Sequence, residues 1–378
     1  MTDEELHRHL VGRQGSRREL NTPVLVIDRD ALDRNIARMA AFAMAQGLAL
    51  RPHAKTHKSA DVARRQIAAG AVGQCCAKIG EAEALAAEGI GGLLLTSPVV
   101  SVPAIERLAA LNARSEGLIC TLDHPDNARA IAAAIAARAG APLTVLIDVD
   151  PGIHRTGVAS PDTAVALFEV IRDLPALSYG GVQFYCGMQQ HITDYADRAA
   201  AMADRAAYLR TVLAALTDAG GAPRIVSGGG TGTHRIDATL GLFTELQAGS
   251  YVFMDDQYRA CALTEEGDMP YETALMIDAR VVSVNAPGMA TVDAGLKAMA
   301  TDAGPPRILA GGGEGARFVF MGDEQGALIG GGPMRLADAV TLAAPHCDPT
   351  VNLYDHYHLV SGNDLVDIWP VTARGRSR

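Results

Sequence analysis

The chain has 378 residues, 48% of them hydrophobic, and a formal net charge of −10 from 33 basic and 43 acidic side chains. That length is too great for one small core and suits a large domain with a smaller one appended, while the acidic balance excludes a nucleic-acid surface. No apolar run reaches the ~18 residues of a membrane span, and Met1-Thr2-Asp3-Glu4-Glu5 lacks the basic and apolar regions of a signal peptide, so a cytoplasmic protein with no membrane partner is expected.

From Thr22 onward, short apolar β-rich runs alternate with alanine-rich amphipathic segments. The spacing predicts strands at Pro23–Ile27, Leu48–Pro52, Val72–Ala77, Gly92–Thr96, Gly117–Leu122, Leu143–Val149, Gly180–Tyr185 and Arg224–Ser227. Helices are predicted between them, among others over Arg29–Gln46, Gly80–Glu88, Pro125–Arg138, Asp162–Asp173 and Tyr195–Ala219. Asp28 and Ser160-Pro161 act as start signals, and Gly47, Gly89, Gly140 and Gly220 as stops. Eight βα units in succession imply a (β/α)8 barrel over residues 22–255, with its chemistry at the C-terminal strand ends. Past about residue 255 the helical periodicity fades. β-rich runs at Ala279–Val284, Met289–Val292 and Arg317–Met321 alternate with glycine clusters at Gly311–Gly313 and Gly330–Gly332, which implies a mostly-β domain over 256–378. Residues 1–21 are expected to pack on that domain, on strand one or on a partner subunit. Cys75, Cys76, Cys120, Cys186, Cys261 and Cys347 show no paired spacing, so neither a zinc site nor a disulfide framework is expected.

Within this frame the first chemical signal is Arg51-Pro52-His53-Ala54-Lys55-Thr56-His57-Lys58, just past the second strand. Burial and the neighbouring cations His53, His57 and Lys58 are expected to depress the Lys55 pKa and free an amine for Schiff-base formation; the alternative is a basic surface loop. Arg155, after the sixth strand, suits an anionic oxygen, and Tyr185, ending the seventh, suits an aromatic nitrogen. His191 follows as a candidate proton carrier. Ser227-Gly228-Gly229-Gly230-Thr231-Gly232-Thr233, after the eighth strand, lets backbone amides approach an anion, with Gly249-Ser250-Tyr251 closing the same pocket; a tight turn explains the run about as well. Near the C-terminus, an extended Pro345–Thr350 would turn His346 and Asp348 to one face and Cys347 to the other. That pair suits a divalent ion such as Mn²⁺, with water in the remaining positions.

Five segments, Arg51–Lys58, Ser227–Gly232, Glu245–Tyr251, Asp293–Lys297 and Pro345–Thr350, occur in an order that resembles the D-threonine aldolase family, from about Thr22 to Gly375. That family groups with D-serine dehydratases and 3-hydroxy-D-aspartate aldolases and shares the fold type of alanine racemase. The resemblance implies a pyridoxal 5'-phosphate (PLP) barrel with a C-terminal β domain, and often a homodimer. It places PLP on Lys55, its phosphate among Gly229, Gly230, Thr231, Gly249, Ser250 and Tyr251, Arg155 near the ring hydroxyl and Tyr185 near the ring nitrogen. It also makes His346 and Asp348 the ligands of a divalent metal, Mn²⁺ first with Mg²⁺ or Co²⁺ as alternatives, and sets His191 beside the substrate's β-hydroxyl. Two departures, Ala77 where relatives often carry Gln and Ser97-Pro98 where they tend to have Asn-Glu, bear on the substrate side.

The activity this implies is retro-aldol cleavage of a small β-hydroxy-D-amino acid, with dehydration as the nearest rival. Dehydratases of the group pair the histidine with a cysteine two residues on, where this chain has Asp348, which favours the aldolase. A non-catalytic PLP carrier would need neither a metal pair nor a second domain. A metal-dependent barrel hydrolase without PLP would need a His-x-His on strand one, which is lacking.

Overall fold

A computed structural model describes residues 2–138 and 140–378; Met1 and Ala139 lie outside the described residues. Eight parallel strands, Ala49–Leu50, Gln74–Cys76, Leu93–Leu95, Ile119–Leu122, Leu143–Asp148, Leu177–Phe184, Ile225–Gly228 and Glu245–Leu246, form one sheet. The first lies beside the last, Ala49 opposite Glu245. A bridge between His53 and Cys75, with Val72 N–H donating to Leu50 C=O at 2.9 Å and Cys75 N–H to Pro52 C=O at 2.8 Å, joins the first to the second and closes the barrel. These strands are largely buried because helices cover their outer faces and side chains fill the interior; Leu93, Leu94 and Leu95 are all fully buried. The helices begin where the chain supplies caps. Asp28 accepts from Ala31 N–H ahead of Arg29–Ala45, and Ser160 accepts from Thr163 N–H ahead of Pro161–Arg172, with Pro161 in the first turn.

One strand lies elsewhere than its sequence position implies. Val24–Asp28, counted above as the barrel's first strand, belongs to the second, nine-stranded sheet, antiparallel to Leu275–Ala286 and parallel to His356–Ser361. Its side chains alternate between two cores: Leu25 and Ile27 join the larger cluster shared with the helix Arg29–Ala45, while Val24 and Val26 face Leu10, Leu20, Val360 and Leu365. An apolar run buried on both faces reads the same in either sheet, so local pattern does not distinguish them. The eighth barrel strand is the two-residue Glu245–Leu246. Lys55 therefore follows the first barrel strand, the Ser227–Thr233 loop the seventh, and Gly249-Ser250-Tyr251 the eighth.

The second sheet is mostly antiparallel, and the segments around it press on the barrel's C-terminal mouth. Tyr357 OH donates to His57 C=O at 2.5 Å, and Ala373 N–H donates to Lys58 C=O at 2.8 Å, so the loop bearing Lys55 is held from above. The N-terminal segment docks on the same sheet. Arg17 grips Asp278 with two nitrogens at 2.7 and 2.9 Å, and His7 Nδ1 lies 2.7 Å from His358 Nε2 in a buried pair. No helix among the described residues is long and apolar enough to cross a membrane.

The histidine pair carries a pH dependence. Asn21 N–H donates to His7 Nε2 at 2.9 Å, so the His7 proton sits on Nδ1 and is donated to His358 Nε2, leaving both rings neutral. Burial, with His7 and His356 as neighbours, pushes the His358 pKa down to about 3. The unfolded chain then takes up the proton first as pH falls below about 6.5, so stability present above that value is lost progressively toward pH 3. Denaturant melts at pH 7 and pH 5 are expected to differ by about 2 kcal/mol on this account. His358→Gln, which keeps an acceptor without a titrating ring, should remove that share of the slope; an unchanged slope would show that the pair does not control it.

Candidate active site

A cavity of about 240 Å³ opens at the C-terminal ends of the barrel strands. Of the residues singled out from sequence, Lys55, Arg155, Tyr185, Gly230, Thr231, Gly249 and Ser250 line it. Ala77 and Ser97, the two departures, line it as well. So do His53 and Thr56 of the Arg51–Lys58 segment and Gln247 of the Glu245–Tyr251 segment, together with Thr96, Gln183 and Tyr258, which no motif marked because isolated Thr, Gln and Tyr carry no spacing signal.

Lys55 sits in a short 3₁₀ turn, Ala54–Thr56, directly after the first barrel strand. Its Nζ lies 2.5 Å from Asp348 Oδ1, a residue 293 positions away. Burial pulls the Lys55 pKa down, but the Asp348 carboxylate, with Tyr185 adding to it, outweighs burial and holds the ammonium above its usual range. The expectation of a depressed pKa is thus corrected for this arrangement. The neighbouring cations do not crowd the amine as the linear sequence suggests. Lys58 is engaged with the buried carboxylate of Glu81, and burial drives the His57 pKa down to about 4, leaving that ring neutral.

The glycine loop is fitted to its surroundings rather than free. Gly229 has φ +73°, a left-handed conformation that suits glycine, and a Cβ on Gly230 would come within 2.3 Å of Gln190 Oε1. Thr231 Oγ1 accepts from Tyr251 N–H at 2.9 Å, tying this loop to the one after the eighth strand. Gly229 and Tyr251 do not line the cavity. The Tyr251 ring is fully buried and its hydroxyl accepts from Gln66 Nε2 at 3.0 Å, so this side chain belongs to the core.

Arg155 stands 5.8 Å from the centre of the Tyr185 ring. The loop bearing it is pinned by Asp150 Oδ1, which accepts from Gly152 N–H at 2.9 Å and His154 N–H at 3.0 Å, and by the Thr156 hydroxyl on Asp148. His191 is exposed at the rim, its ring 4.6 Å from that of Tyr258. Partial desolvation, then His346 and Lys55, lower its pKa.

His346 and Asp348 do face each other, Nε2 to Oδ2 at 4.0 Å, but not for the reason given by an extended segment. His346 immediately precedes a short helix, Cys347–Val351, so Asp348 lies in its first turn while Cys347 turns into the core. Asp348 Oδ2 is buried with no hydrogen-bond partner, and its separation from His346 Nε2 is one that a single ion about 2.1 Å from each atom can span. On the far side of the imidazole, Nδ1 lies 2.6 Å from Asp302 Oδ2, the arrangement that orients metal-bound histidines. No group of three or more His, Cys, Asp or Glu side chains among the described residues is arranged to hold an ion, so the pair would rely on water or substrate to complete coordination. Asp302 and Asp255, which accepts from Cys347 N–H at 3.1 Å, were not marked by any sequence motif.

Residues 27–257 match the model of the alanine racemase N-terminal domain, and residues 274–360 that of a putative serine dehydratase domain. The chain is 37% identical over 365 residues to a 3-hydroxy-D-aspartate aldolase of Paracoccus denitrificans (strain Pd 1222), covering 95% of this chain and 93% of the relative. It is 36% identical over 362 residues to a D-threonine aldolase of Arthrobacter sp., covering 95% and 94%. It is also 37% identical over 295 residues to a D-threo-3-hydroxyaspartate dehydratase of Delftia sp. (strain HT23), covering 76% and 75%. The crystal structure of D-threonine aldolase from Filomicrobium marinum superposes with a TM-score of 0.90 at 36% identity, covering 96% of this chain and 97% of the other. Matched in sequence and fold along almost its whole length, the chain belongs to the D-threonine aldolase family of lyases, on the alanine racemase fold.

Proposed function

We propose that this protein cleaves β-hydroxy-D-amino acids by a retro-aldol reaction dependent on PLP and a divalent metal. Examples are D-threonine to glycine and acetaldehyde, and 3-hydroxy-D-aspartate to glycine and glyoxylate. The observation that carries the reading is the position of Asp348: Oδ1 is 2.5 Å from Lys55 Nζ, and the unpartnered Oδ2 is 4.0 Å from His346 Nε2. One carboxylate thus links the amine that lines the cavity to a hard donor pair; His346, Asp348 and His191 are not themselves part of the cavity lining. The homology to named aldolases supports the same reading.

PLP, when bound, supplies the electron sink for the carbanion left at Cα as the Cα–Cβ bond breaks. A divalent ion, Mn²⁺ by the hardness of the donors, supplies Lewis-acid polarisation of the β-hydroxyl. The chain's own residues do the rest. Lys55 anchors the cofactor. Gly230, Thr231, Gly249 and Ser250, which line the cavity wall, would border its phosphate, while Gly229 and Tyr251 stand behind them, the Tyr251 N–H donated to Thr231 Oγ1. Arg155 would serve the ring oxygen and Tyr185 the ring nitrogen. His346 and Asp348 hold the ion, with Asp302 setting the imidazole orientation. His191, kept neutral by its lowered pKa, accepts the β-hydroxyl proton on a ring nitrogen.

Dehydration is the second reading, supported by the dehydratase relative; it loses ground because Asp348 offers a carboxylate where a zinc-binding thiolate would stand. Product analysis of D-threonine turnover with PLP and Mn²⁺ decides between them. Glycine and acetaldehyde are expected; a 2-oxo acid with ammonia would overturn the aldolase reading.

A further inference from the structure

Behind the glycine loop lies a carboxyl group that the proposed reaction does not use. Asp237, in the short helix His234–Thr239, is 1% exposed and outside the cavity lining. Its Oδ2 accepts from the Thr233 hydroxyl at 2.6 Å, while its Oδ1 is buried with no partner. Thr233 Oγ1 in turn accepts from Gly230 N–H at 3.3 Å and from Gln190 Nε2 at 2.9 Å, and Gln190 Oε1 accepts from Gly232 N–H at 3.0 Å. Two amides of the loop thus hang on a network that ends at this carboxyl. The contact is also steric, since a Cβ on Gly229 would fall 2.6 Å from Asp237 Oδ2.

An ionised carboxylate in that position would be buried with a single hydrogen bond and one bare oxygen, a costly state that a neutral acid avoids. The titratable groups around it offer no counter-charge. Cys186 is a thiol held protonated by burial. His234 is neutral, its Nδ1–H on Thr231 C=O at 2.8 Å and its Nε2 3.1 Å from the Tyr271 hydroxyl, and Arg235 stacks on Phe42. Burial accordingly raises the Asp237 pKa to about 7, with only Thr233 opposing it.

We propose that Asp237 is a positioning residue for the cofactor phosphate that works in its protonated form, bracing the Gly229–Thr233 loop from behind; this rests on the PLP reading above. Once ionised, it places a negative charge behind a loop that has to hold a phosphate dianion, and cofactor retention weakens. Asparagine is the isostere of the protonated acid: its oxygen accepts from Thr233 and its amide nitrogen replaces the protonated oxygen.

The test is equilibrium binding of PLP to wild-type and Asp237→Asn apoprotein from about pH 6 to about pH 9, read by cofactor absorbance. The wild-type to variant ratio of Kd is expected near one at about pH 6, rising by up to roughly tenfold per pH unit above neutrality; the variant shares every other pH-dependent group and cancels it. A ratio that stays constant across this range overturns the proposal. If the variant does not fold, the wild type alone decides, because the advantage of PLP over pyridoxal, which lacks the phosphate, should shrink above neutral pH. An undiminished advantage overturns the proposal too. Borohydride trapping of PLP on Lys55 checks the underlying reading separately: trapping with a flat ratio sinks this inference alone, and a protein that takes up no PLP at any pH sinks both.

Discussion

Replacing Lys55 with alanine is expected to remove the visible PLP absorbance of the purified protein and to lower cleavage of D-threonine by on the order of 10⁴-fold or more, the scale on which loss of a covalent catalytic group acts. The reason is positional. Lys55 is the lysine that lines the cavity, at the end of the first barrel strand, and the turn that presents it is held from above by Tyr357 and Ala373. Lys58, three residues on, cannot substitute, because its ammonium is buried against Glu81. The loss should leave the fold intact, since the Lys55 side chain is half-exposed and, among the described residues, hydrogen-bonds Asp348 alone. Circular dichroism and the denaturation midpoint check this. Undiminished turnover in the alanine variant would eliminate PLP chemistry at this residue.

The second large effect concerns the ion. Chelation of divalent metal from the holoenzyme is expected to lower the cleavage rate by about 10³-fold, several kcal/mol of transition-state stabilisation, while the PLP absorbance persists. Mn²⁺ should restore the wild type but not His346→Ala. The separation follows from the geometry. His346 and Asp348 reach the site from the helix Cys347–Val351 above the mouth, whereas the glycine loop and Lys55 belong to the barrel. Asp348 touches both, so Asp348→Asn tests the link between them; it should weaken the metal while also releasing the Lys55 ammonium from its carboxylate. Asp302→Asn, acting only through the His346 imidazole, should cost a smaller factor in metal affinity, about 10- to 100-fold. Chelated enzyme that cleaves at its full rate would sink the assignment of the ion to the reaction.

Much of this architecture is legible in the linear chain. Asp28 and Ser160 start helices where their capping hydroxyl or carboxylate predicts, and the buried runs at Leu93–Leu95 and Leu143–Asp148 form strands where their apolar content predicts. The Arg51–Lys58, Ser227–Gly232 and Pro345–Thr350 segments point to the family because each combines rare residue types in fixed order. The reading goes astray where identity depends on a distant partner. Val24–Asp28 has the composition of a barrel strand, yet it lies between strands more than two hundred residues further along. The charge neighbours of Lys55 in sequence, His57 and Lys58, turn out to be neutral or engaged elsewhere.

What the sequence determined by itself is the set of elements and the chemical vocabulary of the site: alternating strands and helices, a lysine after a strand, a glycine loop, a histidine–aspartate pair. Those are properties of short windows, governed by backbone preference, periodic burial and residue chemistry. The tertiary structure decided which sheet claims the first strand, that Asp348 and not a cation stands beside the Lys55 amine, and that Asp302 and Asp237 support the histidine and the glycine loop from behind. Each of those depends on contacts between residues far apart in the chain. Barrel closure and the docking of the second sheet bring them together, and charge and burial, which set every pKa at the site, exist only once they have met.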